Sequence, residues 1–329
     1  MNDRAVALLE QYDIEVQKVR KGRGGIICET NCGTVILQEY AGTEERLQLQ
    51  DCILKHIQNQ GIIRTDLILP TKEGTLSVKD RDGITYVLKT YPDGRECNIN
   101  EKDECLLAMR LLAKLHSSMK GVETDDEAMD TVLAEYEKHN RELTHISNFL
   151  RKKKQKQPFE KELYRVMNFF MTQAREVTEN WREYMQDLDL TESMDTYYHG
   201  NYQYHNIICC NKEWYITNFE KCRRGSRVRD VYLMLRKLLE KNDWQPDYGK
   251  ELLRAYTEIM PLNVNESIDL YYRLAYPEKF WKIVNYYYNA PKAWIPERNM
   301  EKLQRLLELE EKRQSFLSEL VEGIYFEKQ

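Results

Sequence analysis

Short polar side chains surround two apolar runs near the middle of the chain. Residues 207–209 and 214–216 are apolar, and the polar residues 211–213 between them are typical of a turn, so the pattern predicts a β-hairpin. The polar residues at its two outer ends are His199, Asn201, His205, Asn206, Asn218 and Glu220. Because an antiparallel hairpin brings its outer ends together, we expect these side chains to share one small site. Imidazole, amide and carboxylate groups in such a site can accept protons or bind a hard cation.

The order and spacing of these residues resemble a kinase motif. Residues 199–201 read His-Gly-Asn and Asn206 follows five positions after the asparagine, which resembles the HGDxxxxN catalytic loop of the aminoglycoside phosphotransferase and choline kinase-like families. Residues 217–220 read Thr-Asn-Phe-Glu and resemble the metal-binding Asp-Phe-Asp or Asp-Phe-Glu segment of the same families. Within that superfamily the chain is most similar to the CotS-type spore-coat proteins of endospore-forming bacteria, over nearly its whole length. The stretches that carry this similarity are residues 86–98, 111–119 and 218–237.

The resemblance implies a catalytic site in which two carboxylates have been replaced. In such kinases the residue at position 201 orients the substrate hydroxyl and accepts its proton, and the residue at position 218 holds magnesium against the nucleotide phosphates. Asparagine occupies both positions in this chain. Because an amide is not a useful base, loss of the base alone would slow transfer roughly 10²–10⁴-fold. The candidate catalytic residues are His199, Asn201 and Asn206, and the candidate metal-binding residues are Asn206, Asn218 and Glu220.

Residues 1–92 predict the small lobe of a bilobal, protein kinase-like α+β fold. Three strands joined by tight turns are followed by a helix over residues 43–60, which begins at a capping threonine. Two more strands, near residues 68–70 and 84–90, complete a five-stranded antiparallel sheet packed with that one helix. The turn at residues 91–94 is then the hinge to a large lobe.

The candidate nucleotide-binding residues lie in this lobe and its hinge. Gly24 and Gly25 belong to a glycine-rich turn whose backbone can cradle phosphate groups. The spacing of the turn differs from that of a kinase glycine-rich loop, so an ordinary hairpin turn is the alternative interpretation. Gln38 stands where the resemblance implies the phosphate-binding lysine. Lys89 and Tyr91 are the remaining candidate nucleotide-binding residues.

Residues 93–329 predict a large, mostly helical lobe with a helical-hairpin insertion over residues 125–187. His116, at the end of an apolar helix face, is interpreted as a core or capping residue. The resemblance implies that Asp230 supports the catalytic loop from behind. The segment 269–294 is rich in tyrosine and tryptophan, which predicts either core packing or a cation–π box for a ligand.

Composition excludes several other classes of protein. Lys+Arg number 49 and Asp+Glu 54, a net charge of −5 that gives no support for general nucleic-acid binding. The eight cysteines have the spacing of neither a disulfide framework nor a paired zinc site. No window has the pattern of a signal peptide or a membrane span, so we expect synthesis in the cytoplasm. The resemblance implies a final location in the spore coat.

Three functional hypotheses follow from these residues. The first is a pseudokinase with a structural or assembly role among other spore-coat proteins, because Gln38, Asn201 and Asn218 together replace the phosphate anchor, the base and a metal ligand. The second is an active small-molecule phosphotransferase that uses magnesium and ATP with relocated chemistry. The third is a non-catalytic module that binds a nucleotide or another small ligand.

The second hypothesis needs specific replacements. Lys21 or Arg23 would supply the missing positive charge from the glycine turn, and His205 would act as the base because an imidazole titrates near neutral pH. Glu220 would then hold one magnesium ion together with the two asparagines at positions 206 and 218.

Overall fold

The protein folds into two compact units. The structure, a computed structural model, describes residues 6–124, 132–186, 197–289 and 296–326. The first unit contains Met1–Glu127, Thr196–Asp230 and Ala255–Met260, and the second contains Ala128–Asp195, Val231–Arg254 and Pro261–Gln329. Because the unit that holds the N-terminal residues also holds residues 196–230, the lobe boundary at residue 92 stays a prediction.

The helices and strands follow the sequence pattern closely. The strands are β1 Val16–Gly22, β2 Gly25–Thr30, β3 Gly33–Glu39, β4 Arg64–Thr65, β5 Ile68–Leu69, β6 Val78–Lys79, β7 Thr85–Thr90, β8 Arg95–Glu96, β9 Tyr197–Tyr198, β10 Ile207–Cys210, β11 Glu213–Ile216 and β12 Arg223–Arg224. The helices are α1 Glu44–Gln60, α2 Lys102–Ser118, α3 Val132–Lys152, α4 Pro158–Gln186, α5 Val228–Lys241, α6 Pro246–Thr257, α7 Val264–Ala275, α8 Glu278–Asn289 and α9 Pro296–Phe326. Short 3₁₀ turns cover Leu8–Gln11, Tyr204–Asn206 and Phe219–Lys221.

The N-terminal sheet has the strand order β1-β2-β3-β7-β5, with antiparallel pairing throughout. These are the five strands that the sequence predicts, and the two-residue strand β6, which it did not predict, pairs with β7. Strands β3 and β7 are in a register that places Ile36 opposite Lys89 and Gln38 opposite Val87. Because directly opposed residues point to the same face of a sheet, Gln38 and Lys89 share one face.

Helix α1 begins and ends where its sequence predicts. The Thr43 hydroxyl accepts a hydrogen bond from the Arg46 N–H, which satisfies one of the free donors of the first turn. Gly61 ends the helix in the left-handed conformation, with φ 64°. The apolar side chains that recur at helical spacing, including Leu47, Ile53 and Ile57, are buried.

The central hairpin is confirmed as strands β10 and β11. Ile207 pairs with Ile216 and Cys210 pairs with Glu213. Asn211 and Lys212 turn the chain with positive φ values of 51° and 66°, which is the geometry of a tight two-residue hairpin loop. The pair extends into a four-stranded sheet in the order β4-β11-β10-β8.

The second unit is helical and its aromatic residues pack in its core. Helices α3 and α4 contact each other within the segment 125–187 that the sequence predicts as a helical hairpin, of which residues 125–131 and 187 lie outside the described residues. Phe159, Phe170 and Phe280 are buried in one cluster. The Tyr136 and Tyr276 rings stack with their centroids 3.7 Å apart. These contacts favour the packing interpretation of the aromatic segment, of which Trp294 lies outside the described residues. Over the described part of the chain, no helix is both long and apolar enough to span a membrane.

Candidate functional site

Asp230 fixes the loop that carries the candidate catalytic residues. Its Oδ2 accepts a hydrogen bond from the His199 backbone N–H at 2.5 Å, and its Oδ1 accepts one from the Gly200 N–H at 2.9 Å. The carboxylate has no exposed surface. A buried carboxylate is stable only when its oxygens are hydrogen-bonded, and Asp230 obtains these bonds from the loop itself. The geometry is the one that the resemblance implied for this residue.

The His116 side chain also contacts the Asp230 carboxylate, at the oxygen that accepts the His199 N–H. His116 Nε2 lies 3.2 Å from Asp230 Oδ2, and His116 Nδ1 lies 2.8 Å from the Tyr256 hydroxyl oxygen. Burial acts to raise the pKa of Asp230, but the hydrogen bond and charge of His116 outweigh it and hold that pKa below its usual range. His116 is buried, in agreement with its predicted structural role.

His199 is a buried, neutral imidazole with both ring nitrogens in use. Its Nε2 lies 3.0 Å from the Thr217 carbonyl oxygen, and its Nδ1 accepts the Asn201 backbone N–H at 3.1 Å. These partners require a proton on Nε2 and a lone pair on Nδ1, which is the neutral tautomer. Burial lowers the pKa of His199 to about 4, although the nearby Asp230 carboxylate opposes the shift. His199 therefore positions the loop and does not exchange protons near neutral pH.

Asn201 and Asn206 lie together beneath the hairpin, as their spacing predicts. The Asn206 side-chain amide donates to the Asn201 carbonyl oxygen at 2.8 Å, and the Thr217 N–H donates to the Asn206 carbonyl oxygen at 2.9 Å. The Asn201 side-chain oxygen accepts a hydrogen bond from Gln203 at 3.1 Å. His205, the alternative base, presents its ring edge-on to Tyr204. The predicted catalytic residues are therefore neighbours, and His199, Asn201 and Asn206 are tied into one hydrogen-bond network.

Gly200 lets the two halves of the motif approach each other. Its φ is 75°, and an added Cβ would lie 2.3 Å from the Lys221 carbonyl oxygen. No other residue type fits that distance or adopts that conformation without strain. The glycine of the motif is thus required by backbone packing alone, whether or not the site is catalytic.

Lys89 and Glu220 form an ion pair in the same site. Lys89 Nζ lies 3.1 Å from Glu220 Oε1, with the lysine side chain 1% exposed and the glutamate side chain 36% exposed. Glu220 is the one carboxylate of the predicted metal-binding set, and its ion-pair partner is a lysine from strand β7. The contact joins residues 131 positions apart in the chain.

Asp66 is a site residue that the sequence analysis missed. Its Oδ2 accepts the Asn218 backbone N–H at 3.3 Å, and its Oδ1 has no hydrogen-bond partner in the described part of the chain. Burial raises its pKa, and the charge of Lys89 opposes that shift. The signal in the sequence was a single acidic residue between two apolar runs, residues 62–63 and 67–69.

The glycine-rich turn is a tight two-residue hairpin between β1 and β2. Gly22 pairs with Gly25, which leaves Arg23 and Gly24 at the tip, and Gly24 has φ 77°. Arg23 forms an ion pair with Glu96 at 3.1 Å. Lys21 and Gly24 are exposed and Gln38 is half-buried.

Gly25 is held in place by its neighbour in the sheet. An added Cβ at position 25 would lie 2.5 Å from the Leu37 carbonyl oxygen. We therefore expect Gly25→Ala to lower the free energy of unfolding by about 1–3 kcal/mol, as other overpacked substitutions do. Urea denaturation followed by circular dichroism measures this change. Gly24→Ala is the matched control, because its nearest contact, Gln38 Nε2, is 3.5 Å away and only the backbone strain of positive φ applies. A stable Gly25→Ala protein would show that the sheet does not require this glycine.

The turn predicted as the hinge, residues 91–94, also lies in the first unit. Tyr91 donates its N–H to the Thr34 carbonyl oxygen at 2.9 Å, and Asp93 forms an ion pair with Arg20 at 2.7 Å. An added Cβ on Gly94 would lie 2.1 Å from the Cys209 carbonyl oxygen, so the hinge packs directly on the hairpin. These contacts bring Lys89 and Tyr91 within the same unit as the catalytic-loop residues.

Comparison with known families agrees with this geometry. The sequence profile of the family described as spore coat putative kinase YutH matches residues 5–320. The chain belongs to this family. Spore coat protein S of Bacillus subtilis (strain 168) is 24% identical to this YutH-family protein over 333 residues, which cover 96% of this chain and 93% of that protein.

Solved structures show the kinase-like fold of this YutH-family protein. An aminoglycoside phosphotransferase from Alicyclobacillus acidocaldarius subsp. acidocaldarius DSM 446 superimposes with a TM-score of 0.84 at 18% identity, covering 98% of this chain and 96% of that one. Spectinomycin phosphotransferase APH(9)-Ia, in complex with ADP and spectinomycin, superimposes with a TM-score of 0.61 at 12% identity, covering 95% of this chain and 97% of that one. Amicoumacin kinase hAmiN, in complex with AMP-PNP, Ca²⁺ and Ami, superimposes with a TM-score of 0.58 at 12% identity, covering 97% of this chain and 94% of that one. The predicted fold class is confirmed.

The residues of this YutH-family protein do not fit the magnesium ion that a kinase-like fold implies. Magnesium is held through carboxylates and phosphates. Positions 201 and 218 are amides, and Glu220 already has the Lys89 ammonium as its partner. Within the described ranges, no group of three or more His, Cys, Asp and Glu side chains is arranged to hold a metal ion.

Proposed function

We propose that this protein is a spore-coat pseudokinase, which uses the kinase-like fold as a structural or assembly module and does not transfer phosphoryl groups. One observation carries the proposal: the carboxylate that remains in the metal-binding segment, Glu220, forms an ion pair with Lys89 inside the site. A carboxylate that already neutralises a buried ammonium is a poor ligand for a divalent cation, because metal binding would take away the ion-pair partner of that ammonium.

The other catalytic positions support the same proposal. A phosphoryl-transfer site works by positioning the nucleotide and by stabilising charge, and it needs a metal, a cation on the phosphates and a residue that orients the acceptor. Asn201 and Asn218 supply neutral amides at two of these positions, and Gln38 supplies a third. Even with His205 as the base, the magnesium that would bring the phosphate to it has no carboxylate in the motif other than Glu220, which Lys89 already pairs.

The coat assignment rests on the family and on the relative's name. The family is described as a spore coat putative kinase, and the Bacillus subtilis relative is named spore coat protein S. Under the proposal the partners of this protein are other coat proteins, and the fold supplies a rigid body for assembly. The ADP and AMP-PNP complexes of the structural neighbours are properties of those proteins.

A nucleotide titration tests the proposal. We expect no change in the melting temperature with millimolar ATP, either with Mg²⁺ or with EDTA, and no release of phosphate above the buffer rate. A ligand at about 100 times its Kd would stabilise the fold by about 2.7 kcal/mol, which a melting curve resolves.

The other outcomes each identify a different function. A shift that requires Mg²⁺, with ATP turnover that Asn206→Ala abolishes, would overturn the proposal in favour of an active phosphotransferase. Equal shifts in Mg²⁺ and EDTA would replace it with a nucleotide-binding module. Asn180→Ala, which changes an exposed amide on helix α4 of the second unit, is the matched control for the asparagine substitution.

A further inference from the structure

We propose that Lys89 is a built-in cation that takes the place of the divalent metal in this site. The inference rests on the proposed function, since it explains how a kinase-like site remains stable without magnesium. It goes further by assigning a charge-balancing role to one residue, and it predicts a metal site that a single substitution would create.

The register of strands β3 and β7 places Lys89 on the same face of the sheet as Gln38. Lys89 of β7 lies opposite Ile36 of β3, and Gln38 is two residues after Ile36 in β3. The side chains of Lys89 and Gln38 therefore lie on the same face of the sheet. The cation that the resemblance implies at position 38 is therefore absent, and a cation appears on the adjacent strand of the same face. The Lys89 ammonium forms an ion pair with Glu220, which lies in the short 3₁₀ turn after strand β11.

The charges around the ammonium balance it without a metal. Lys89 is 1% exposed, and burial of an unpaired ammonium is costly. Glu220 supplies one carboxylate at 3.1 Å. Asp66, which is 5% exposed, is near enough to Lys89 for the ammonium charge to oppose the rise in its pKa that burial causes, and its carboxyl group accepts the Asn218 backbone N–H. The site thus contains one internal cation between two acidic side chains, with amides at positions 201 and 218.

Removal of the ammonium would change the electrostatics of this site. Two acidic side chains would then face this site without a cation: the more exposed Glu220, and the buried Asp66, which has an oxygen without a hydrogen-bond partner in the described part of the chain. Carboxylate oxygens that lie close together without a cation are ligands that a hard divalent cation prefers. Lys89→Met keeps an unbranched side chain that is one atom shorter and removes its charge, so it should convert the site into a divalent-cation site.

Titration with Mn²⁺ in the absence of nucleotide tests the inference. We expect the wild-type protein to show no saturable Mn²⁺ binding by electron paramagnetic resonance and no Mn²⁺-dependent change in melting temperature. Lys89→Met should bind Mn²⁺ at least about tenfold more tightly than the wild type, with a rise in melting temperature that EDTA reverses. Adding Asn218→Asp to this variant supplies a third carboxylate and should tighten binding again by about tenfold.

Two further variants separate the metal site from a general change of charge. Lys18→Met removes an exposed lysine that pairs with Glu29 at 3.3 Å in the same sheet, and it should leave Mn²⁺ binding at the wild-type level. Lys89→Arg keeps a cation in the site and should also bind no Mn²⁺.

Each alternative result decides the question. Wild-type binding of Mn²⁺ as tight as that of Lys89→Met would overturn the inference, and so would a folded Lys89→Met protein that binds no more Mn²⁺ than Lys18→Met. If Lys89→Met does not fold in EDTA, refolding in Mn²⁺ is the expected rescue, and failure of Mn²⁺, Mg²⁺ and Ca²⁺ to rescue it would contradict the inference. Magnesium-dependent ATP turnover by the wild type would instead overturn the proposed function, so the two failures are distinguishable.

Discussion

Asp230→Ala is expected to lower the free energy of unfolding by roughly 3–5 kcal/mol, the range for removing one partner from a buried charged network. The substitution deprives the His199 and Gly200 N–H groups of their acceptor. It also leaves His116 Nε2 without its carboxylate partner. Because Asp230, His199 and His116 are buried, water cannot replace most of the lost hydrogen bonds without opening the core.

Comparison of Asp230→Ala with Asp230→Asn measures how much of the lost stability comes from removing one carboxylate oxygen and how much from removing both. Asp230→Asn keeps one carbonyl oxygen as an acceptor, so we expect a smaller loss of about 1–3 kcal/mol from the remaining unsatisfied group. Asp13→Ala changes an exposed aspartate and is the matched control, with an expected change within about 0.5 kcal/mol. Urea denaturation of the variants at pH 7 gives the three values. Equal stability of Asp230→Ala and Asp13→Ala would show that the loop does not depend on this carboxylate.

Local patterns predicted most of the fold because the forces that set each element act over a few residues. The Thr43 cap and the buried positions of α1 are visible in the sequence at helical spacing. The hairpin of β10 and β11 follows from two apolar runs joined by a turn that Asn211 and Lys212 can form with positive φ. Strand β6 was missed because two residues have no periodicity, and its pairing with β7 depends on the rest of the sheet.

The candidate site was predicted only in part, since its main electrostatic contact is not local. Asn201 and Asn206 were found because a motif holds them close in the chain. The Lys89–Glu220 pair links residues 131 positions apart, and no pattern in the sequence fixes which lysine meets that carboxylate. The contact of Asp66 could not be predicted for the same reason, because its hydrogen-bond donor, the Asn218 backbone N–H, belongs to a distant segment of the chain. Charge balance in a buried site is a property of the folded chain, so it becomes visible only after the register of β3 and β7 is known.

Acidification is expected to destabilise this protein between about pH 6.5 and pH 4 because of His199. The pKa of this imidazole falls from an ordinary value of 6.5 in the unfolded chain to about 4 in the folded protein, chiefly through burial. In that window the unfolded chain binds the proton and the folded protein does not, so folding stability falls as the pH falls. A shift of this size corresponds to roughly 3 kcal/mol, which is fully lost once the pH is below about 4.

The structure gives a local reason for this behaviour beyond burial. A second proton would have to sit on Nδ1, which faces the Asn201 N–H at 3.1 Å and would turn an acceptor into a donor. His199→Gln retains an N–H that can donate to the Thr217 carbonyl oxygen and removes the titration. Urea midpoints from pH 7.5 to 4.5 should therefore fall less steeply for His199→Gln than for the wild type. His139, whose pKa burial also lowers, contributes in the same direction to both proteins, so the difference between the two curves isolates His199. Parallel curves would contradict the assignment of His199 as a buried neutral residue.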